Sequence, residues 1–196
     1  MVVSRETPIL EKYREELLRW DRRISLIGPD VRAELNQHIR HDAELLSPYL
    51  TAHSTFLDVG TGNGLPAIPA LILANECPRE TIFVEADLRK AAFLRAMRRE
   101  LKLRYEVLGS RVENIPDIVA DIVSAKAFAP LHRLLDLCVP HLAPAGRILA
   151  FKGRSAEEEI AKARQTWDFG IERGEPNART GAVLLIISEP RRRVTT

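Results

Sequence analysis

The chain has 196 residues, 45% of them apolar and 29% charged, which suits about one domain of ~150 residues rather than a disordered or collagenous chain. Its 29 basic and 27 acidic residues leave a net charge of +2, which excludes a histone-like polycation but not a nucleic-acid partner, because clustering of charge matters more than its sum. No run of ~18 apolar residues predicts a membrane span, Cys77 and Cys138 make neither a disulfide framework nor zinc spacing, and Met1 to Glu11 lacks a signal peptide's apolar segment, so a soluble, reduced, cytoplasmic protein is expected.

Ile9, Tyr13, Leu17 and Trp20 recur at helical spacing and predict a first helix from about Pro8 to Trp20. Gly28–Pro29 breaks it, and a second helix is expected from near Asp30 to Leu46, before Pro48. Residues 1–50 thus read as a helical N-terminal extension, and 51–196 as the main unit. Thr55–Val59 reads as a buried strand, followed by a helix over Pro66–Asn75. Thr81–Val84 is a second strand ending at Glu85, and a long helix spans Leu88–Leu103. Further strands are expected at Tyr105–Leu108, Asp121–Ala125, Arg147–Phe151 and Ala182–Ser188, with helices at His132–His141 and Glu157–Thr166. Arg191–Arg193 reads as a flexible end. Alternation of strands and helices predicts an α/β protein with a mostly parallel, doubly wound sheet.

The strongest local signal is Asp58-Val59-Gly60-Thr61-Gly62-Asn63-Gly64, at the turn from the first strand into a helix. Glycines there let the backbone turn tightly and approach a ligand. The spacing is Gly-x-Gly-x-Gly, and no P-loop pattern is present. Asp58 would repel a pyrophosphate and suits a ligand with a cationic amino-acid part. Glu85, about twenty residues further on, is placed to accept ribose hydroxyls. Together these favour S-adenosylmethionine over a nicotinamide dinucleotide.

Phe56 to Pro69, which contains Gly64-Leu65-Pro66-Ala67-Ile68-Pro69, closely resembles the glycine motif of the RsmG (glucose-inhibited division protein B) family of guanine-N7 methyltransferases acting on 16S ribosomal RNA. Glu100–Leu103, Ser110–Glu113, Ala127–Leu131 and Ala150–Gly153 match further family segments in order. The resemblance is close over about 55–160. Trp20, Ile24–Ile27, His38-Ile39 and Pro48–Leu50 echo the family's N-terminal region more loosely.

The resemblance implies a Rossmann-like class I S-adenosylmethionine-dependent methyltransferase. Gly60, Thr61, Gly62, Gly64 and Leu65 would shape the cofactor site, and Asp58 would face its amino-acid end. Glu85 would hold the ribose, and Val112 and Glu113 the adenine. Lys126 and Lys152 would be the basic residues at the methyl-transfer site, with Lys126 also near the cofactor, and both would contact RNA together with Arg111. The implied substrate is a guanine in the 530 loop, in naked RNA or the small ribosomal subunit, and the implied state is a monomer. The family usually carries Arg at Lys126 and Asp at Glu85; lysine keeps the charge but loses the planar fork.

The residues fit this chemistry by what they lack. Ser124-Ala125-Lys126-Ala127 is not the Asn/Asp-Pro-Pro-Tyr/Phe tetrad of exocyclic-amine methylation, and Cys138, in an apolar stretch, reads as core rather than as a nucleophile. Guanine N7 has a free lone pair, so no base is required and alignment dominates. Arg95, Arg98, Arg99 and Lys102 share one helical face, which reads as a solvated face before a phosphate-binding one. His38 and His41 find no third metal ligand, so no metal is expected. The alternatives are a methyltransferase for another RNA or a small molecule, and a nonenzymatic protein that binds S-adenosylmethionine or RNA.

Overall fold

The structure, a computed structural model, describes residues 6–28, 32, 35–177 and 180–193. Helix α1 (Glu6–Ile24) runs one turn past the expected end at Trp20. There the buried Asp21 carboxylate accepts the Leu26 and Ile27 N–H groups at 2.6 and 2.8 Å, which curls the chain back at Ser25, where φ is +52°. Arg32 pairs with the same carboxylate. Helix α2 (Leu35–Leu46) follows; its expected start at Asp30 lies outside the described residues.

The rest alternates strands and helices: β1 (Thr55–Val59), α3 (Ala67–Leu73), β2 (Glu80–Val84), α4 (Leu88–Glu100), β3 (Glu106–Leu108), β4 (Ala120–Lys126), α5 (Leu131–Cys138), β5 (Leu142–Lys152), α6 (Ala156–Ala163), β6 (Trp167–Arg173) and β7 (Val183–Arg192). They form one seven-stranded sheet in the order β3-β2-β1-β4-β5-β7-β6. β3, β2, β1, β4 and β5 are parallel, and β7 runs antiparallel to both β5 and β6. The chain reverses its winding between β1 and β4, and in such sheets ligands bind beyond the carboxyl ends of the strands at that reversal.

Strand alternation sends neighbours to opposite faces. Phe56 and Phe83 join one apolar cluster with Leu10, Tyr13, Leu17, Ile39 and Leu46 of the N-terminal helices. Leu57 and Ile82 join the other, with Leu134, Leu135 and Cys138 of α5. The N-terminal helices therefore share one face of the sheet with α3 and α4, whose Ile68, Phe93 and Met97 belong to the same cluster.

Two expectations are corrected. β6 has no counterpart in the sequence reading, although Trp167, Phe169 and Ile171 alternate with Asp168 and Glu172. Gly170 interrupts that pattern, and the strand exists because β7 pairs with it. The arginine triplet is likewise not a flexible end. Arg191 and Arg192 belong to β7; Arg192 pairs with Asp136 at 2.7 Å and lies 5.1 Å over the Trp167 ring, while Arg193 pairs with Asp168 at 2.7 Å. Contact to an aromatic face and a carboxylate orders what its charge alone would leave solvated.

Tyr13 ties the extension to the glycine loop. It is fully buried, and its hydroxyl donates to the Asn63 carbonyl at 2.7 Å. Tyr13→Phe strands that carbonyl without a donor, and we expect about 1–3 kcal/mol of lost stability by denaturant unfolding, with weaker cofactor binding by calorimetry.

Candidate functional site

The glycine loop leaves β1 with its N–H groups turned back on the sheet. Gly60 N–H and Thr61 N–H both donate to the Val84 carbonyl, at 2.9 and 3.1 Å. Gly62 N–H donates to Glu85 Oε2 at 2.7 Å, and Glu85 Oε1 accepts the Asp87 N–H at 2.8 Å. Asn63 braces the turn on both sides: its Oδ1 accepts the Leu65 N–H at 3.0 Å, and its Nδ2 donates to the Leu26 carbonyl at 3.1 Å. Gly60 is required twice over. Its φ is +66°, and a Cβ there would sit 2.4 Å from Phe128 Cδ2.

A cavity of about 430 Å³ opens beside this turn, within the size range of small-ligand sites. Gly60, Glu85, Arg111, Val112 and Glu113 lie on its wall, as do Phe128 and Arg133. Val112 is buried, and Glu113 pairs with Arg133 at 3.1 Å on the same wall. The structure thus gathers five of the residues singled out in the sequence around one space. Phe128 and Arg133 were not singled out there; Phe128 lies inside a matched segment but carries no polar group to flag it.

The others lie elsewhere. Asp58, Thr61, Gly62, Gly64 and Leu65 are behind the wall and shape the turn. Asp58 is buried at the end of β1, where Ser124 Oγ donates to its carboxylate. Burial pushes its pKa up to about 7, opposed by the Ser124 and Thr61 hydroxyls and assisted by the nearby Glu85 charge.

Lys126, at the end of β4, lies on the wall of a second, smaller cavity of about 90 Å³ and pairs with Asp42 of α2. Lys152 is buried: its ammonium donates to the Ala129 carbonyl and pairs with Glu159 at 2.8 Å. Glu159 also accepts the Leu131 N–H at 2.8 Å. Burial pushes the Glu159 pKa up, but the bonds from Lys152, Ser155 and Leu131 outweigh it and hold the group below its usual value. Lys152 and Glu159 thereby anchor both ends of the Ala129–Leu131 segment that follows the cavity wall.

Cys138 is core, with its thiol pushed up to about 12 by burial. Among the described residues no group of three or more His, Cys, Asp or Glu side chains could hold a metal; the His38 side chain lies outside them. Nor is any described helix long and apolar enough to cross a membrane. On the α4 basic face, Arg95 donates to the Val107 carbonyl at 3.0 Å and Arg98 to the Tyr105 carbonyl at 3.2 Å, so these two tie the helix to β3 and its lead-in. Lys102 lies beyond the helix end at Glu100, with φ +53°.

Residues 6–175 match the family model described as rRNA small subunit methyltransferase G. The chain belongs to that family. A relative named "Ribosomal RNA small subunit methyltransferase G" in Cereibacter sphaeroides is 42% identical over 170 residues, covering 85% of this chain and 82% of that protein. A Rhizobium rhizogenes protein of the same name is 35% identical over 98% of this chain and 97% of its own length. Among solved structures, a methyltransferase from Pyrococcus furiosus superposes with a TM-score of 0.58 at 16% identity, over 74% of this chain and 79% of that one. An rRNA methylase from Streptococcus thermophilus does so at 0.55 and 12%, over 76% and 94%. At those identities the two structures establish the Rossmann-like fold alone, to which this chain adds the N-terminal helices α1 and α2.

Family membership makes Gly60 and Asp58 informative to test. Gly60→Ala drives a methyl group into Phe128 at a strained φ, and we expect cofactor binding to fall below detection by calorimetry while the fold persists by circular dichroism. For Asp58, the folded carboxyl titrates near 7 and the unfolded one near its ordinary 3.8, so the folded state holds the proton more tightly. Its contribution to stability is therefore complete at low pH and lost as pH rises through about 7. Denaturant unfolding at pH 4 to 8 should show a smaller decline for Asp58→Asn than for the natural chain.

Proposed function

We propose that this chain transfers the methyl group of S-adenosylmethionine to N7 of a guanine in the 530 loop of 16S ribosomal RNA. The observation that carries the reading is the cavity beside the Gly60–Gly64 turn, with the Glu85 carboxylate in its wall, in a chain of the small-subunit methyltransferase family. The cavity fits the cofactor on its own terms. Gly60 has no Cβ to fill the approach, and each Glu85 oxygen, after accepting one N–H, keeps a lone pair for a ribose hydroxyl.

In this reading Glu85 holds the ribose, Val112 and Glu113 flank the adenine, and Gly60 lets the chain pass close to the ligand. Thr61, Gly62, Gly64 and Leu65 keep the turn in shape. Asp58, behind the turn, supplies negative potential for the cationic amino-acid end. When bound, the cofactor supplies a methyl group on a cationic sulfur. That methyl would pass to the N7 lone pair with cleavage of the carbon–sulfur bond, leaving the positive charge on the purine. No proton has to leave, so the protein's task is alignment and exclusion of water.

Lys126 and Arg111 serve the RNA from the cavity mouths, as cations that hold phosphate or the guanine acceptor edge. Lys152 acts by setting the 129–131 segment from within, through Ala129 and Glu159. Helices α1 and α2, within the 1–50 extension, complete the core of the 51–196 unit. The protein works as a cytoplasmic monomer on free RNA or the small subunit.

The test is to incubate small subunits from a strain deleted for the corresponding gene with the protein and cofactor, then map N7-methylguanosine by chemical cleavage. One new site in the 530 loop is expected, and an unchanged map overturns the reading. Lys152→Ala should lose methylation by at least tenfold while calorimetry shows cofactor affinity largely kept.

A further inference from the structure

We propose that the small cavity at the end of β4 receives the Watson–Crick edge of the target guanine, and that the Asp42 carboxylate is what distinguishes guanine from other purines. This rests on the guanine-methylating function argued above. The cavity, about 90 Å³ and partly open, is lined by Gln37, His41 and Asp42 of α2, by Lys126, and by Thr180 and Ala182. Its size admits the edge of a base rather than a whole nucleotide. Its wall is mainly apolar, and against it the Asp42 and Lys126 side chains, only 11% and 24% exposed, form a charged pair.

Position and chemistry agree. Lys126 lies on this cavity and Ala127 on the larger one, and consecutive α-carbons are about 3.8 Å apart. Ala127 has φ +51°, an unusual conformation for alanine, which turns the chain sharply between the two spaces. A purine lying over this turn can aim N7 into the larger cavity while its far edge enters the smaller one.

On that far edge guanine carries two adjacent donors, the ring N1–H and the exocyclic amine. A carboxylate presents two acceptor oxygens side by side and matches both. Adenine offers an acceptor at the ring position, which would face the carboxylate's lone pairs. Lys126 donates to Asp42 and so orients it, and its remaining N–H groups can serve the guanine O6. The pair also joins α2 to β4, so the extension supplies the specificity while the sheet supplies the reaction site.

The test uses a 16S fragment, or a subunit reconstituted with it, in which the target guanosine is replaced by inosine. Inosine keeps N7, O6 and N1–H and lacks only the exocyclic amine. With saturating cofactor, the natural protein should lose roughly ten- to hundredfold in kcat/KM on inosine, the range of a good base-edge pair. Asp42→Asn should lose a similar factor on guanosine, discriminate little between the two bases, and bind cofactor as before by calorimetry. Equal methylation of inosine and guanosine by the natural protein overturns the proposal whatever the variant does. A variant that keeps full discrimination overturns it too. Methylation of neither substrate by the natural protein overturns the function itself.

Discussion

A chain that turns at three left-handed glycines must find acceptors for its N–H groups at the edge of a buried sheet. Here the Val84 carbonyl takes two of them and the Glu85 carboxylate a third. The same carboxylate accepts the Asp87 N–H as the chain enters α4. One side chain thus joins the two strand-to-helix turns at the point where the winding reverses. An unpaired N–H there would cost the full desolvation of a buried donor. Glu85, on the wall of the larger cavity, is therefore also the residue that holds the turn.

The N-terminal helices belong to this arrangement rather than decorating it. Tyr13 and Leu26 fix Asn63 from one side of the loop, and Asp42 reaches Lys126 beside the other cavity. Asp21 makes the connection possible by satisfying the N–H groups where α1 ends and the chain reverses. The apolar faces of the same helices join α3 and α4 in the cluster that contains Phe56 and Phe83. Core packing and the bracing of the glycine loop are thus carried by one element.

The near-neutral charge hides a division of labour among the cations. From Arg89 to Arg104 there are seven basic residues and one acid. Arg95 and Arg98 spend hydrogen bonds on β3 and the residue before it, and Arg192 and Arg193 stitch the β6–β7 edge. Contacts to carbonyls leave the charge in place, so the α4 face still projects positive potential while it holds the fold. A net charge of +2 offers little bulk attraction to a polyanion.

The sequence by itself determined the α/β class, the strand-to-helix turn at Gly60–Gly64, the acid at Glu85 and the family resemblance carried by Leu65-Pro66-Ala67-Ile68-Pro69. These rest on periodicity and backbone constraints that act over a few residues, so they can be read along the chain. Only the tertiary structure decided that Lys152 is buried against Ala129, that Lys126 faces Asp42 across 84 residues of sequence, and that Asp58 is buried against Ser124. β6 belongs with these: its alternation of Trp167, Phe169 and Ile171 is visible, yet its reality depends on β7 pairing with it. A lysine in a sequence carries the same charge whether it meets phosphate, a carbonyl or a carboxylate. Which of these it meets is set by how the helices dock on the sheet, and that is a property of the packed core.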